Sequence, residues 1–266
     1  MPLLDRGDVE IYYELRGTGP SLLFFNGSGA TIEGSGLLLD ILAKDFEVLV
    51  HDQRGLGRTG LPSSPPSTLA PYASDAAALL DAVGWNDVLV AGISFGGMVA
   101  QEFAVTYPDR VRRLALLCTS AGGAGGSSYP LHTLEDLEPT ERARISLHNL
   151  DTRFNAAWLE EHPSDRMLVD YTISRNAAPK SDDVEKGERF QLAARATHDV
   201  WDRLGNVTAP TLIAAGRFDG LAPVANSEAL HQRIPGSSLR FYNGGHLFVA
   251  QDPAALRDVV SFLKNN

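Results

Sequence analysis

Short apolar runs alternate with amphipathic stretches along most of the chain. Residues 9–15 (VEIYYEL), 22–26 (LLFFN), 46–52 (FEVLVHD), 88–93 (VLVAGI) and 113–118 (RLALLC) are rich in Val, Ile, Leu and aromatics and read as strands. Residues 72–84 (YASDAAALLDAVG) and 96–108 (GGMVAQEFAVTYP) carry helical spacing between them. The rhythm returns with strands at 210–216 (PTLIAAG) and 238–242 (SLRFY) and helices at 226–234 (NSEALHQRI) and 253–263 (PAALRDVVSFL). Near-continuous apolar strands separated by helices predict an α/β fold whose mostly parallel sheet is covered on both faces.

Between Gly122 and His198 the rhythm stops. That stretch opens on a flexible GGAGGSSYP and continues with charged, helix-favouring runs, PTERARISLHNL and DDVEKGERFQLAARA. It predicts a helical insertion, residues 122–198, capping one edge of a core domain made of residues 1–121 and 199–266.

Composition narrows the partners. The 266 residues hold 33 acidic and 23 basic side chains, a formal charge of −10, so nucleic acid is not an expected partner. The first residues lack a basic-then-apolar leader, and no segment reaches the roughly 18 apolar residues of a membrane span. A cytoplasmic protein that acts on a small molecule, with no membrane partner, is expected. The lone Cys118 excludes an internal disulfide and reads as a small core residue. His132, His148, His162, His198 and His231 show no metal-ligand spacing, so no metal site is expected.

Two glycine-rich turns compete for the chemistry. Gly27-Ser28-Gly29 follows a strand as in a dinucleotide site, and Asp52 lies a plausible distance on, but Ile32 occupies the third glycine position. The sharper motif is Gly92-Ile93-Ser94-Phe95-Gly96, G-x-S-x-G between a strand and a helix. A strand turning abruptly into a helix strains its apex residue, and glycines two positions away leave room for the backbones to pass. Ser94 is thereby lifted clear of the sheet as a nucleophile. A serine hydroxyl needs a base and an orienting acid, and both follow: Asp219 after the strand PTLIAAG and His246 after SLRFY.

These landmarks, with HDQRGLGRTG, GISFGG, GRFD and GGH in that order, resemble the α/β-hydrolase superfamily over nearly the whole chain. The resemblance implies the α/β-hydrolase fold, a sheet of about eight strands with a Ser94, Asp219, His246 triad at the strand ends and no cofactor. It also places the backbone amides of Ser28 and Phe95 as an oxyanion hole. Asn26 stands where the family usually has histidine; asparagine can hydrogen-bond its own loop and tolerates unusual backbone angles, which keeps the turn available. Asn26, Gly27, Tyr129, Leu221 and Phe248 are assigned to substrate binding. Asp52 and Arg54 are expected to pair and brace a loop, and His51 to be a packed, hydrogen-bonded residue.

The reaction expected is hydrolysis of a carboxylic ester or lactone through an acyl-serine. Few arginines cluster in the insertion, which suggests a small or medium, largely apolar substrate. Ser94 argues against haloalkane dehalogenases and epoxide hydrolases, which use aspartate at that turn. Carbon–carbon hydrolases of ring-cleavage products share the GSG loop but usually place tryptophan where this chain has Leu247. They are the alternative, beside a small-molecule receptor built on the same fold.

Overall fold

The computed structural model describes residues 2–134, 137–177 and 180–265. Among them eight strands form one sheet: β1 (Leu3–Asp5), β2 (Glu10–Arg16), β3 (Ser21–Phe25), β4 (Glu47–His51), β5 (Val88–Ile93), β6 (Val111–Leu117), β7 (Thr211–Gly216) and β8 (Ser238–Tyr242). Their spatial order is β1-β2-β4-β3-β5-β6-β7-β8. β2 is antiparallel to both its neighbours, and β4 through β8 run parallel to one another.

Alternation within the strands divides the core into two layers. Leu23, Phe25, Val90, Leu116 and Ile213 face one way, against α2 (Ala70–Ala82), α3 (Phe95–Thr106) and α8 (Val224–Arg233). Leu22, Phe24, Ala91, Leu117 and Leu212 face the other, against α1 (Gly36–Leu42) and α10 (Pro253–Lys264). Both layers being apolar explains why the central strands read as unbroken hydrophobic runs rather than alternating ones.

Strand order also locates a crevice. The chain leaves β3 toward β4 on one side and returns to β5 on the other, so the loops after β3 and β5 part company at their carboxyl ends. Those loops are the ones carrying Asn26 to Gly29 and Ser94.

Between β6 and β7 the chain makes α4 (Pro139–Leu150), α5 (Ala156–Glu161), α6 (Pro163–Ala177) and α7 (Asp182–Ala196). Phe154, Leu159 and Val169 form a small apolar cluster of their own there. The two ends of this excursion meet: Gly122 bridges Asp199, and the Val200 amide donates to the Ala121 carbonyl at 3.0 Å. After β8 a short α9 (Phe248–Gln251) precedes α10. Among the described residues no helix is long and apolar enough to cross a membrane.

Candidate active site

Ser94 occupies a one-residue turn between β5 and α3 with φ +56° and ψ −118°, a backbone region that side chains other than glycine rarely adopt. Its amide donates to Leu117 at 2.8 Å, and its carbonyl accepts from the Gly97 and Met98 amides. The flanking glycines are required by space. A methyl on Gly92 would collide with the Gly96 carbonyl, and one on Gly96 with the carbonyls of Phe25 and Asn26. Neither side chain can be added without pushing β5, α3 and β3 apart.

Asp219 and His246 sit on the loops after β7 and β8, both buried. Asp219 Oδ1 accepts from the amides of Leu221 and Ala222 at 2.8 Å each, which fixes the carboxylate. Its Oδ2 lies 2.8 Å from His246 Nδ1, and His246 Nε2 lies 2.9 Å from Ser94 Oγ. A carboxylate can only accept, so Nδ1 carries the proton and Nε2 is left to accept from the serine hydroxyl. The sequence-expected serine, acid and base are thus one hydrogen-bonded line. The Cys118 sulfur lies within 4.8 Å of an Asp219 carboxylate oxygen and a His246 ring nitrogen. Burial and the Asp219 charge push that thiol's pKa up, so it stays protonated.

The loop after β3 runs close to this line. A methyl on Gly27 would stand 3.7 Å from Ser94 Cβ, so the loop passes directly beside the serine. The Ser28 and Phe95 amides find no acceptor among the described residues, as donors reserved for a ligand oxygen would. The Asn26 side-chain Nδ2 is buried without a partner, and Ser28 Oγ is likewise unpartnered. The loop is held by two residues that sequence reading missed. Gln53 Nε2 donates to the Asn26 carbonyl at 2.9 Å, Gln191 Nε2 to Gln53 Oε1 at 3.2 Å, and the Gly29 amide to Gln191 Oε1 at 2.8 Å. Nothing local marks them, because Gln191 is on α7, far from Gln53 in sequence.

Other assignments need correction. Phe248 is fully buried and stacked on Tyr242, with ring centroids 5.3 Å apart, because α9 turns it into the core. It belongs to the packing under the site and not to a substrate pocket. Leu221 and Tyr129 are joined through the Tyr129 amide and the Leu221 carbonyl at 2.7 Å. Arg54 does not pair with Asp52. Both Asp52 oxygens are taken by the Ile32 and Arg58 amides, while Arg54 reaches Asp75 on α2 through Nε at 2.5 Å and Nη2 at 2.8 Å, and Asp8 through Nη1 at 2.6 Å. His51 is packed edge-on against Phe25, but its Nδ1 has no partner. Burial lowers its pKa to about 4, so the ring is neutral.

The profile of the alpha/beta hydrolase fold matches residues 20–253. RutD of Azorhizobium caulinodans, provisionally named a carbamate hydrolase, is 28% identical, covering 98% of this chain and 97% of the relative. The poly(3-hydroxyalkanoate) depolymerase of Ectopseudomonas oleovorans is 29% identical over 90% of this chain and 82% of the relative. The crystal structure of a hydrolase from Pseudomonas aeruginosa PA01 superposes with a TM-score of 0.81 at 29% identity, covering 99% and 98% of the two chains. With the family match spanning most of its length, this chain belongs to the alpha/beta hydrolase fold family.

Proposed function

We propose that the protein hydrolyses a carboxylic ester or lactone of a small or medium, largely apolar compound, with Ser94 as nucleophile, His246 as base and Asp219 as its orienting acid. The observation that carries this reading is the hydrogen-bonded line from Asp219 through His246 to Ser94, ending on a strained turn. His246 Nε2 takes the hydroxyl proton as Ser94 Oγ attacks the acyl carbon. The carbonyl oxygen becomes an oxyanion beside the Phe95 and Ser28 amides, each such donor being worth about 3–4 kcal/mol in the transition state. Collapse expels the alcohol, which receives its proton from His246. Water then attacks the acyl-Ser94 with the same histidine as base, releasing the acid.

Residues 122–198 act as a cap in this reading. The helices that leave the sheet after β6 close over the serine and also hold the oxyanion loop through Gln191. A carbamate carbonyl is open to the same attack, and the name of one relative brings carbamates into the set of substrates worth offering.

Acid release from aryl esters of increasing acyl length, lactones and aryl carbamates, compared between wild type and Ser94→Ala, tests the proposal. Turnover that Ser94→Ala removes is expected. A folded wild type that cleaves none of them overturns the reading.

A further inference from the structure

A polar cavity between α3 and α7 contains a buried cation with no counter-ion among the described residues. Arg195, in the last turn of α7, is 7% exposed. Its Nη2 donates to Ser128 Oγ at 2.7 Å and to the Tyr129 carbonyl at 2.8 Å, both neutral acceptors. Among the described residues Nε and Nη1 have no acceptor and no carboxylate pairs with the guanidinium, and neither nitrogen is fully buried. Burial alone depresses its pKa, to about 10, so it remains charged at neutral pH. Arg54, also buried, is by contrast matched to Asp75 and Asp8. A charge largely withdrawn from water with no acid beside it is costly to hold in a fold, and the weak dipole at the end of α7 does not replace lost hydration.

The surroundings fit an anion. Arg195 lines a cavity of about 180 Å³ with Ser120, Ser127, Ser128, His132 and Met98. At roughly 30 Å³ per water, that volume takes a carboxylate with a few carbons attached. The Ser120 and Ser128 hydroxyls lie 3.4 Å apart beside the guanidinium. His198, on the cavity wall, points Nε2 at the Ser120 carbonyl 3.1 Å away and so donates there, and burial keeps it neutral, with a pKa near 4. The lining therefore offers cationic and neutral donors and no acidic side chain.

Position ties the cavity to the reacting serine. Met98, in the first turn of α3, lines the cavity, and its amide donates to the Ser94 carbonyl at 3.2 Å. The Tyr129 carbonyl accepts from Arg195 and its amide donates to the Leu221 carbonyl, while the Leu221 amide fixes Asp219. We propose that this cavity binds a free carboxylate of the substrate, so that the preferred ester or lactone carries a second, ionised acid group a few carbons from the carbonyl attacked. This assignment rests on the hydrolase reading above, and it refines the largely apolar substrate expected there: one anionic end, with the remainder apolar.

The test compares the monomethyl esters of succinate, glutarate and adipate with the corresponding dimethyl esters, which match them in length but lack the charge. For wild type, kcat/KM is expected to be at least tenfold higher for one of the half-acids. In Arg195→Gln, which keeps a donor for Ser128 and Tyr129 but no charge, that ratio is expected to fall at least tenfold. An equal loss on charged and neutral esters would make Arg195 a structural tether and overturn the proposal, as would a wild type that prefers the dimethyl esters. Calorimetric titration of Ser94→Ala with glutarate and with dimethyl glutarate does not depend on turnover, so it separates this proposal from the hydrolase reading. It also covers the case in which Arg195→Gln does not fold. Saturable binding of glutarate alone is expected, and no binding overturns the site. Glutarate should compete with the half-ester; noncompetitive inhibition would assign the cavity to a free acid instead of the substrate and overturn the proposal.

Discussion

The backbone amide of His246 donates to the carbonyl of Leu150 at 2.6 Å, joining the loop that carries the proposed base to the end of α4. The Thr152 amide makes the equivalent bond to Phe218, next to Asp219, at 2.8 Å. The excursion between β6 and β7 is therefore tied by its backbone to both the histidine loop and the acid loop. Gln251 completes the tie. Its Oε1 accepts from the Gly245 amide, and its Nε2 donates to Asp151 and Asp165.

Gln251→Ala should therefore cost rate as well as stability. Loss of those hydrogen bonds is worth about 1–2 kcal/mol in the folded state. A loosened histidine loop is expected to lower kcat roughly tenfold or more, since small displacements of a catalytic group are amplified in rate. Steady-state kinetics beside a thermal melt checks this, and an unchanged kcat with a lowered melting temperature would reduce Gln251 to a packing residue.

Asp219→Asn keeps the shape of the acid loop but allows its amide to face Nδ1 as a donor, favouring the wrong imidazole tautomer. A loss of about 10⁴ in kcat is expected, as measured for such a change in a serine protease triad. Ser94→Ala and Asp219→Asn together should cost little more than Ser94→Ala alone, because the three residues act as a unit. A variant of Asp219 retaining a tenth of wild-type turnover would remove it from the proposed mechanism.

Arg54 and Asp75 form a buried bidentate pair, and Arg6 reaches Asp75 as well at 3.1 Å. Breaking such a pair from one side costs about 3–5 kcal/mol. Arg54→Met leaves Asp75 with Arg6, whereas Asp75→Leu leaves the buried Arg54 with only the half-exposed Asp8. Asp75→Leu should be the more damaging in urea unfolding, and the double variant should cost less than the sum of the two. Simple additivity would mean that the pair is not energetically coupled.

His51 and His198 are both held neutral by burial, with pKa values lowered to about 4 from an ordinary 6.5. A histidine whose folded pKa is depressed takes up its proton more readily when unfolded, so stability rises with pH between the two values. It is complete above about pH 6.5 and is lost as pH falls toward 4. At 1.36 kcal/mol per pKa unit the ceiling is roughly 3 kcal/mol for each ring. Urea midpoints at pH 7, 6, 5 and 4 should fall accordingly, and His51→Leu should flatten the decline; an identical slope in that variant would contradict the assignment to His51.

What could be read from the sequence was what is encoded locally. β3, β5 and β7 are buried on both faces and show as unbroken apolar runs. Ser94 is marked by the glycines that its turn needs, and Asp219 and His246 stand at strand ends. The short β1, and α1 with its apolar GLLLDIL and no side-chain cap, gave no such pattern. Phe248 was misplaced because closeness to His246 in sequence said nothing about the inward turn of α9. Gln53 and Gln191 are 138 residues apart, and only the folded chain makes them neighbours. Arg195 looked like one more charge on a polar helix, and its burial depends on how α7 settles on the rest of the molecule.

The closed neck at Gly122 and Asp199 has a consequence for how this architecture can be altered. Because the chain leaves and re-enters at adjacent points, everything between those residues can in principle be exchanged for the corresponding segment of another member without re-threading the sheet. The swap is not free, however. A transplanted segment must bring carbonyl and amide groups to the places now held by Leu150 and Thr152, and a glutamine to that of Gln191, or selectivity will change at the expense of the machinery it serves.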